Sequence, residues 1–155
     1  MAASLGLMWL VYGWFEINNV EVRRQHKLTQ TKIENLLALT PSEFEAFVAT
    51  VFRAKGYHVE EQGRSGDHGI DLLVVAPNTG RRAVVQCKRY SKTVGEATVR
   101  DLYGVLHHTG ADLAFLVTTA HISSAARAWA TDKDIRLIDG QTLVNATNEL
   151  ALRRG

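Results

Sequence analysis

Apolar positions along the chain change their spacing several times, and each change marks an element. Phe44, Phe47, Val48, Val51 and Phe52 recur at helical spacing behind Thr40-Pro41-Ser42-Glu43. Thr at the N-cap with Glu three residues on is a capping box, and Pro41 suits the first helical position. Gly56 ends this helix as a left-handed residue, and Tyr57 stands where an apolar cap contact belongs. A strand over 58–62 follows, then a loop over 63–69 that contains Gly63, Gly66 and Gly69. Two strand-like runs, 71–75 and 84–90, are joined by a turn at Asn78-Thr79-Gly80, the pattern of an antiparallel hairpin. A helix over about 95–108 buries Val99, Leu102, Val105 and Leu106. Gly104 inside it costs about 1 kcal/mol against Ala, which predicts a close backbone approach there. The continuous apolar run 113–118 reads as a strand covered on both faces. An Ala-rich helix over 123–131 with Ser123 as N-cap, a short strand over 135–138, a turn at Asp139-Gly140 and a closing helix over 141–152 complete the chain. From Thr40 the order is α-β-β-β-α-β-α-β-α. A hairpin followed by alternation predicts an α/β fold with a mixed β-sheet flanked by helices on both faces.

Two pieces precede this domain, which is placed at 40–155. Residues 1–19 form a hydrophobic N-terminal segment whose run from Ala2 to Ile17 is almost entirely apolar, with Trp9, Tyr12, Trp14 and Phe15 gathered at the far end. The run is slightly shorter than the roughly 20 residues of a membrane span and holds Glu16. Arg23, Arg24, His26 and Lys27 behind it match a membrane helix that leaves on the cytoplasmic side. The expectation is a membrane anchor that tethers a cytoplasmic domain to the inner face of the cytoplasmic membrane. An amphipathic helix docked on the domain, or a self-association surface, is the alternative. A cleaved signal peptide fits less well, because no basic residue precedes the run. Residues 20–39 read as a linker with a short helix over 32–39.

Composition narrows the class. The chain has 155 residues, of which 46% are hydrophobic, enough for one ordinary core. A net charge of +2 permits nucleic-acid binding without establishing it. A single cysteine excludes an intramolecular disulfide and a multi-cysteine zinc site, and favours a reducing compartment. No pair of histidines has metal-ligand spacing, and Ser123-Ser124 has no base that would make either a nucleophile.

The hairpin carries the candidate chemistry. Asp71 opens its first strand. Gln86 and Lys88 lie two apart in the second, so they share a face, with Cys87 and Val85 on the other. A carboxylate, an amide and an ammonium in apolar strands must be paired, bind a metal or line a cleft. One reading is a buried Asp71–Lys88 ion pair. The other is a site: Asp71 and Gln86 supply the hard oxygen donors that suit Mg²⁺, and Lys88 could position a water or steady a developing anion. The glycines before Asp71 leave the backbone free to approach a phosphate.

Asp71 followed by Gln86-Cys87-Lys88 resembles the PD-(D/E)XK nuclease superfamily, in the variant with Gln at the middle acid. The surrounding stretches resemble the Mrr-type restriction endonuclease family in particular. They are Phe44-Glu45, Gly56-Tyr57, Gly66-Asp67-His68-Gly69-Ile70-Asp71, Val85-Gln86-Cys87-Lys88-Arg89-Tyr90, Val117-Thr118-Thr119 and Leu137-Ile138-Asp139-Gly140, in the family's order. The resemblance implies a restriction-endonuclease-like core and assigns roles. Asp71 would be the principal metal-binding carboxylate, Gln86 a second metal or water ligand, Lys88 the catalytic lysine, and Glu45 the acid added from the first helix. Glu45 also reads as an ordinary helix-flank residue. Asp67 would assist the site or shape the loop, and His68 departs from the Gly that the family often has there. Arg64, Arg89, Tyr90 and Lys92 become candidate DNA contacts, with Arg81, Arg82 and Arg100 as weaker ones, although each also reads as an ordinary solvated residue.

The implied activity is Mg²⁺-dependent hydrolysis of DNA phosphodiesters, with Mn²⁺ as an alternative ion. The implied partners are double-stranded DNA, including modified DNA, and a second copy of the chain in a homodimer. A repair or junction-resolving nuclease shares the same chemistry. A non-catalytic, membrane-tethered DNA-binding module is the rival from another class, and the presence of both Asp71 and Lys88 argues against it.

Overall fold

The computed structural model describes residues 31–62 and 69–153. The expected anchor over 1–19, the linker up to residue 30, and the loop residues Arg64, Asp67 and His68 lie outside these. The elements are α1 (Ile33–Leu37), α2 (Pro41–Ala54), β1 (His58–Glu61), β2 (Leu72–Val75), β3 (Arg82–Lys88), α3 (Glu96–Thr109), β4 (Leu113–Thr118), α4 (Ser124–Ala130), β5 (Ile135–Ile138) and α5 (Gly140–Leu152). Their order from α2 onward is the one expected.

The five strands form one sheet in the order β1-β2-β3-β4-β5. The pairs β1–β2 and β2–β3 are antiparallel, whereas β3–β4 and β4–β5 are parallel, so the sheet is mixed and β3 is its centre. Alternation along the strands feeds two cores. Leu72, Val74, Ala83, Val85 and Val117 pack with Leu36 of α1, Phe44, Val48 and Phe52 of α2, and Leu143 and Val144 of α5. Val84, Ala114, Leu116 and Ile135 pack with Val99, Leu102 and Leu106 of α3 and Ala126 and Ala130 of α4. Burying apolar faces on both sides, at roughly 25 cal/mol per Å², is what holds the three layers together.

Both ends of α2 are closed as its sequence implies. The Thr40 hydroxyl accepts the Glu43 N–H at 3.2 Å and the Glu43 carboxylate accepts the Thr40 N–H at 2.7 Å. At the other end Gly56 has φ +92°, its N–H bonds to Arg53 O, and the Tyr57 N–H bonds to Phe52 O. The Phe52 and Tyr57 rings meet edge to face at 5.4 Å, which is the apolar contact of a Schellman cap.

Two local readings change. A Cβ built on Gly104 meets nothing within 4 Å, so that glycine is not a point of close approach. The close approach falls instead at Gly140, where a Cβ would stand 2.2 Å from Thr119 O and 2.5 Å from Ile33 Cδ1. The second concerns the short helix ahead of the domain, which is packed into it. Leu36 is 2% exposed, and the Asn148 side chain exchanges two hydrogen bonds with the Thr31 backbone, at 2.9 and 3.1 Å. Among the described residues no helix is long and apolar enough to cross a membrane.

Candidate active site

Asp71 sits just before β2, where the hairpin ladder becomes irregular. Its N–H donates to Val85 O at 3.0 Å and its carbonyl accepts the Gln62 N–H at 2.9 Å, so its backbone is held from both neighbouring strands. One step on, the Cys87 N–H donates to Asp71 Oδ2 at 2.6 Å instead of to a backbone carbonyl of the hairpin. The carboxylate thus takes a place in the sheet's own hydrogen bonding, which fixes its position. Burial raises the Asp71 carboxyl above the ordinary aspartate range, and the Cys87 N–H and the Lys88 charge oppose that rise.

Gln86 lies in β3 and is 7% exposed. Its Nε2 donates to Gly69 O at 3.0 Å, which leaves Oε1 buried with no hydrogen-bond partner among the described residues. An orphaned buried acceptor costs about 1–3 kcal/mol unless something binds it. Natural folds rarely leave one without a reason. An amide oxygen and a carboxylate are both hard donors of the kind Mg²⁺ takes, so by their chemistry Gln86 and Asp71 fit that ion. Among the described residues there is no group of three or more His, Cys, Asp or Glu side chains arranged to hold a metal. A donor set that includes Gln86 lies outside such a grouping.

Lys88 ends β3 in register with Thr118 of β4. Its carbonyl accepts the Thr118 hydroxyl at 2.6 Å, the Tyr90 N–H at 3.0 Å and the Thr119 N–H at 3.3 Å. The Thr119 hydroxyl in turn donates to Tyr90 O at 2.7 Å. These threonines are buried, 0% and 5% exposed, and they pin the strand end from which the Lys88 side chain projects. Its Nζ lies 5.9 Å from the centre of the Tyr90 ring, at the outer limit of a cation–π contact.

The thiol of Cys87 shows how the charges gather. Burial pushes it well above the ordinary cysteine range, the negative charges of Asp71 and Glu45 push it further, and Lys88 pulls the other way. Asp71, Glu45 and Lys88 are therefore within electrostatic reach of one point. Glu45, on α2, is half-buried beside the buried Phe44 and Val48. A thiol kept protonated in this way is a small apolar group of the first core.

The candidate DNA contacts divide. Tyr90 is 44% exposed and, with Lys92 and Thr98, lines a cleft of about 430 Å³ that opens beside the start of α3. Arg89 also lines it, but its Nη1 donates to Leu37 O at 3.1 Å, so this guanidinium holds α1 to the segment that follows β3. Arg64 and Asp67 are outside the described residues. Sequence reasoning missed the Gly69 carbonyl, the Cys87 N–H and the two threonine hydroxyls. The paired threonines at the end of an apolar strand were the one visible signal. Backbone partners leave none.

A mixed sheet of this topology, with a carboxylate, an amide and an ammonium at the end of its antiparallel hairpin, is a restriction-endonuclease-like α/β core. Residues 36–147 match the restriction endonuclease family of Mrr catalytic domains, and the chain belongs to that family. The type IV methyl-directed restriction enzyme EcoKMrr of Escherichia coli strain K12 is 35% identical in a 120-residue alignment that covers 73% of this chain and 40% of that enzyme. The chain therefore spans well under half the length of this relative. Among solved structures, the DNA modification-dependent restriction endonuclease AspBHI aligns with a TM-score of 0.64 at 20% identity, over 78% of this chain and 35% of that one. The restriction endonuclease FokI bound to DNA aligns with a TM-score of 0.59 at 11% identity, over 86% of this chain and 30% of that one. At such identities the structural matches speak for the fold.

Proposed function

We propose that this chain is the catalytic part of a metal-dependent endonuclease that hydrolyses phosphodiester bonds in modified double-stranded DNA. The observation that carries this reading is the buried Oε1 of Gln86, which has no hydrogen-bond partner among the described residues and stands in the same hairpin as the fixed carboxylate of Asp71 and as Lys88. Family membership supports the chemistry, and the methyl-directed activity named for EcoKMrr supports methylated DNA as the substrate.

Asp71 and Gln86 would hold the ion, with Glu45 adding negative charge from α2. Mg²⁺ or Mn²⁺, when bound, would polarise the phosphate and lower the pKa of a water. Lys88 would orient an attacking water and offset the charge that develops on the phosphate oxygens. Lys92 and Tyr90 line the cleft next to the site and would meet the DNA backbone. The apolar segment 1–19 supports tethering to the inner face of a membrane, a reading that rests on its sequence alone.

The test is cleavage of a supercoiled plasmid by the full chain with Mg²⁺, beside Asp71→Ala and Lys88→Ala, on methylated and unmethylated copies of one plasmid. The parent should nick the methylated plasmid faster and lose activity in EDTA, and both variants should be inactive. Equal nicking by all three proteins would overturn the assignment. Equal rates on the two plasmids would remove the methyl-directed part and leave a nuclease of the repair or junction type.

A further inference from the structure

We infer that Gly69 is a positioning residue for Gln86, and that its carbonyl is the reason this site carries an amide at its middle position. The inference rests on the metal-binding role proposed above for Gln86.

The Gly69 carbonyl accepts Nε2 of Gln86 at 3.0 Å across a separation of 17 residues. This bond decides which way the amide faces. In the flipped orientation Oε1 would confront the Gly69 oxygen, placing two acceptors against each other with no proton between them. The amide is therefore held with Nε2 toward Gly69 and Oε1 away from it, and Oε1 is the atom left buried without a partner among the described residues. A carboxylate at position 86 would meet the same conflict, because neither of its oxygens carries a hydrogen when ionised. The glutamine is thus matched to a backbone carbonyl. It is not simply a weakened acid.

Only glycine serves at position 69, for two separate reasons. Its φ is +81°, in the left-handed region that side chains with a Cβ rarely adopt. A Cβ built there would also stand 2.7 Å from Nε2 of Gln86 itself. The clash is with the end of a flexible side chain, so the structure would yield by moving the amide rather than by unfolding. Loss of a partner that orients a metal ligand typically weakens metal affinity by about 10- to 100-fold.

The experiment uses the full chain, Gly69→Ala, and Gly80→Ala as a control for backbone strain. Gly80 also has a positive φ, +66°, but a Cβ there meets nothing within 4 Å. Two readouts are taken. The first is the Gln86 side-chain amide in a nitrogen–proton correlation spectrum without metal. The parent and Gly80→Ala should each show one hydrogen-bonded, slowly exchanging Nε2 proton, and Gly69→Ala should lose it. The second is Mn²⁺ affinity by calorimetry, expected to fall about 10- to 100-fold in Gly69→Ala and to stay at the parent value in Gly80→Ala. A freely exchanging Gln86 amide in the parent, or unchanged Mn²⁺ affinity in Gly69→Ala, would overturn the inference. A parent that binds no Mn²⁺ would instead remove the metal reading of the site, while the amide signal still decides whether Gly69 orients Gln86.

Discussion

The Asp71 carboxylate accepts the backbone N–H of Cys87 at 2.6 Å, so the acid proposed as the metal ligand is also part of the sheet. The two roles can be separated. Asn at position 71 keeps an oxygen for the Cys87 N–H but removes the charge, whereas Ala removes both. Asp71→Asn should lose more than about 100-fold in cleavage, beyond the effect of an outer-sphere partner, while folding normally. Asp71→Ala should also lose about 1–3 kcal/mol of stability, because it leaves a buried donor unpaired.

Stability against pH gives the sign of the Asp71 charge. Burial raises this carboxyl, so the folded protein keeps its proton where the unfolded chain has lost it. Stability then falls as pH climbs from about 3.9 through the folded value. Chemical denaturation should show Asp71→Asn at least as stable as the parent at neutral pH, with that advantage gone at lower pH. The reverse ordering would mean that the carboxylate is held by favourable charges that outweigh its burial.

Asp139 has the opposite sign. Burial alone would raise it, but the N–H and hydroxyl of Thr142 and the paired Arg127 guanidinium hold it below the ordinary carboxylate range. A lowered acid adds stability above its unfolded value, and that stability is lost as pH falls from about 3.9 through the folded value. Asp139→Asn keeps the cap of α5 and loses the ion pair. It should cost about 0.2–1 kcal/mol at neutral pH, because Arg127 is well exposed, and nothing in strong acid. Urea titrations at a series of pH values measure this directly.

Two helical glycines should respond in opposite directions. Gly104 lies in the interior of α3 with open space beside it, so Gly104→Ala should stabilise by about 0.8–1 kcal/mol. Gly140→Ala would drive a methyl into Thr119 O, a backbone atom that cannot step aside. A loss of about 1–3 kcal/mol is expected in thermal or urea unfolding.

Lys92 and Arg89 can be told apart by salt. Lys92→Ala should weaken DNA binding on every sequence and flatten the slope of log affinity against log salt by about 0.9. Arg89→Ala should instead lower stability by about 1.5–3 kcal/mol, the range for a hydrogen bond to a charged group, as α1 loses its tie to β3.

These residues also show how far the sequence could be read. The helical spacing of Phe44, Val48 and Phe52 and the Thr40–Glu43 box are local signals, and α2 follows from them directly. Asp71 and Gln86 were conspicuous because polar groups in apolar strands need an explanation. Gly69 and Gly140 carry no such signal, and the paired threonines carry only a faint one. Their importance comes from contacts between distant segments, such as Gly69 with Gln86, Gly140 with Thr119, and Thr118 with Lys88. Gly104 misled for the complementary reason: a glycine's cost is local, but its cause need not be a close neighbour.

The central place of β3 has a kinetic consequence. Antiparallel β2 covers one edge of it, parallel β4 the other, and a helical layer each face. Amides in such a strand exchange with solvent through global opening, not through fraying at an edge. Gln86 and Lys88 ride on that strand, so the hairpin that carries the candidate site should be among the last parts of the molecule to take up deuterium. Loss of the proposed cleavage activity on heating and melting of the whole domain should then be a single event.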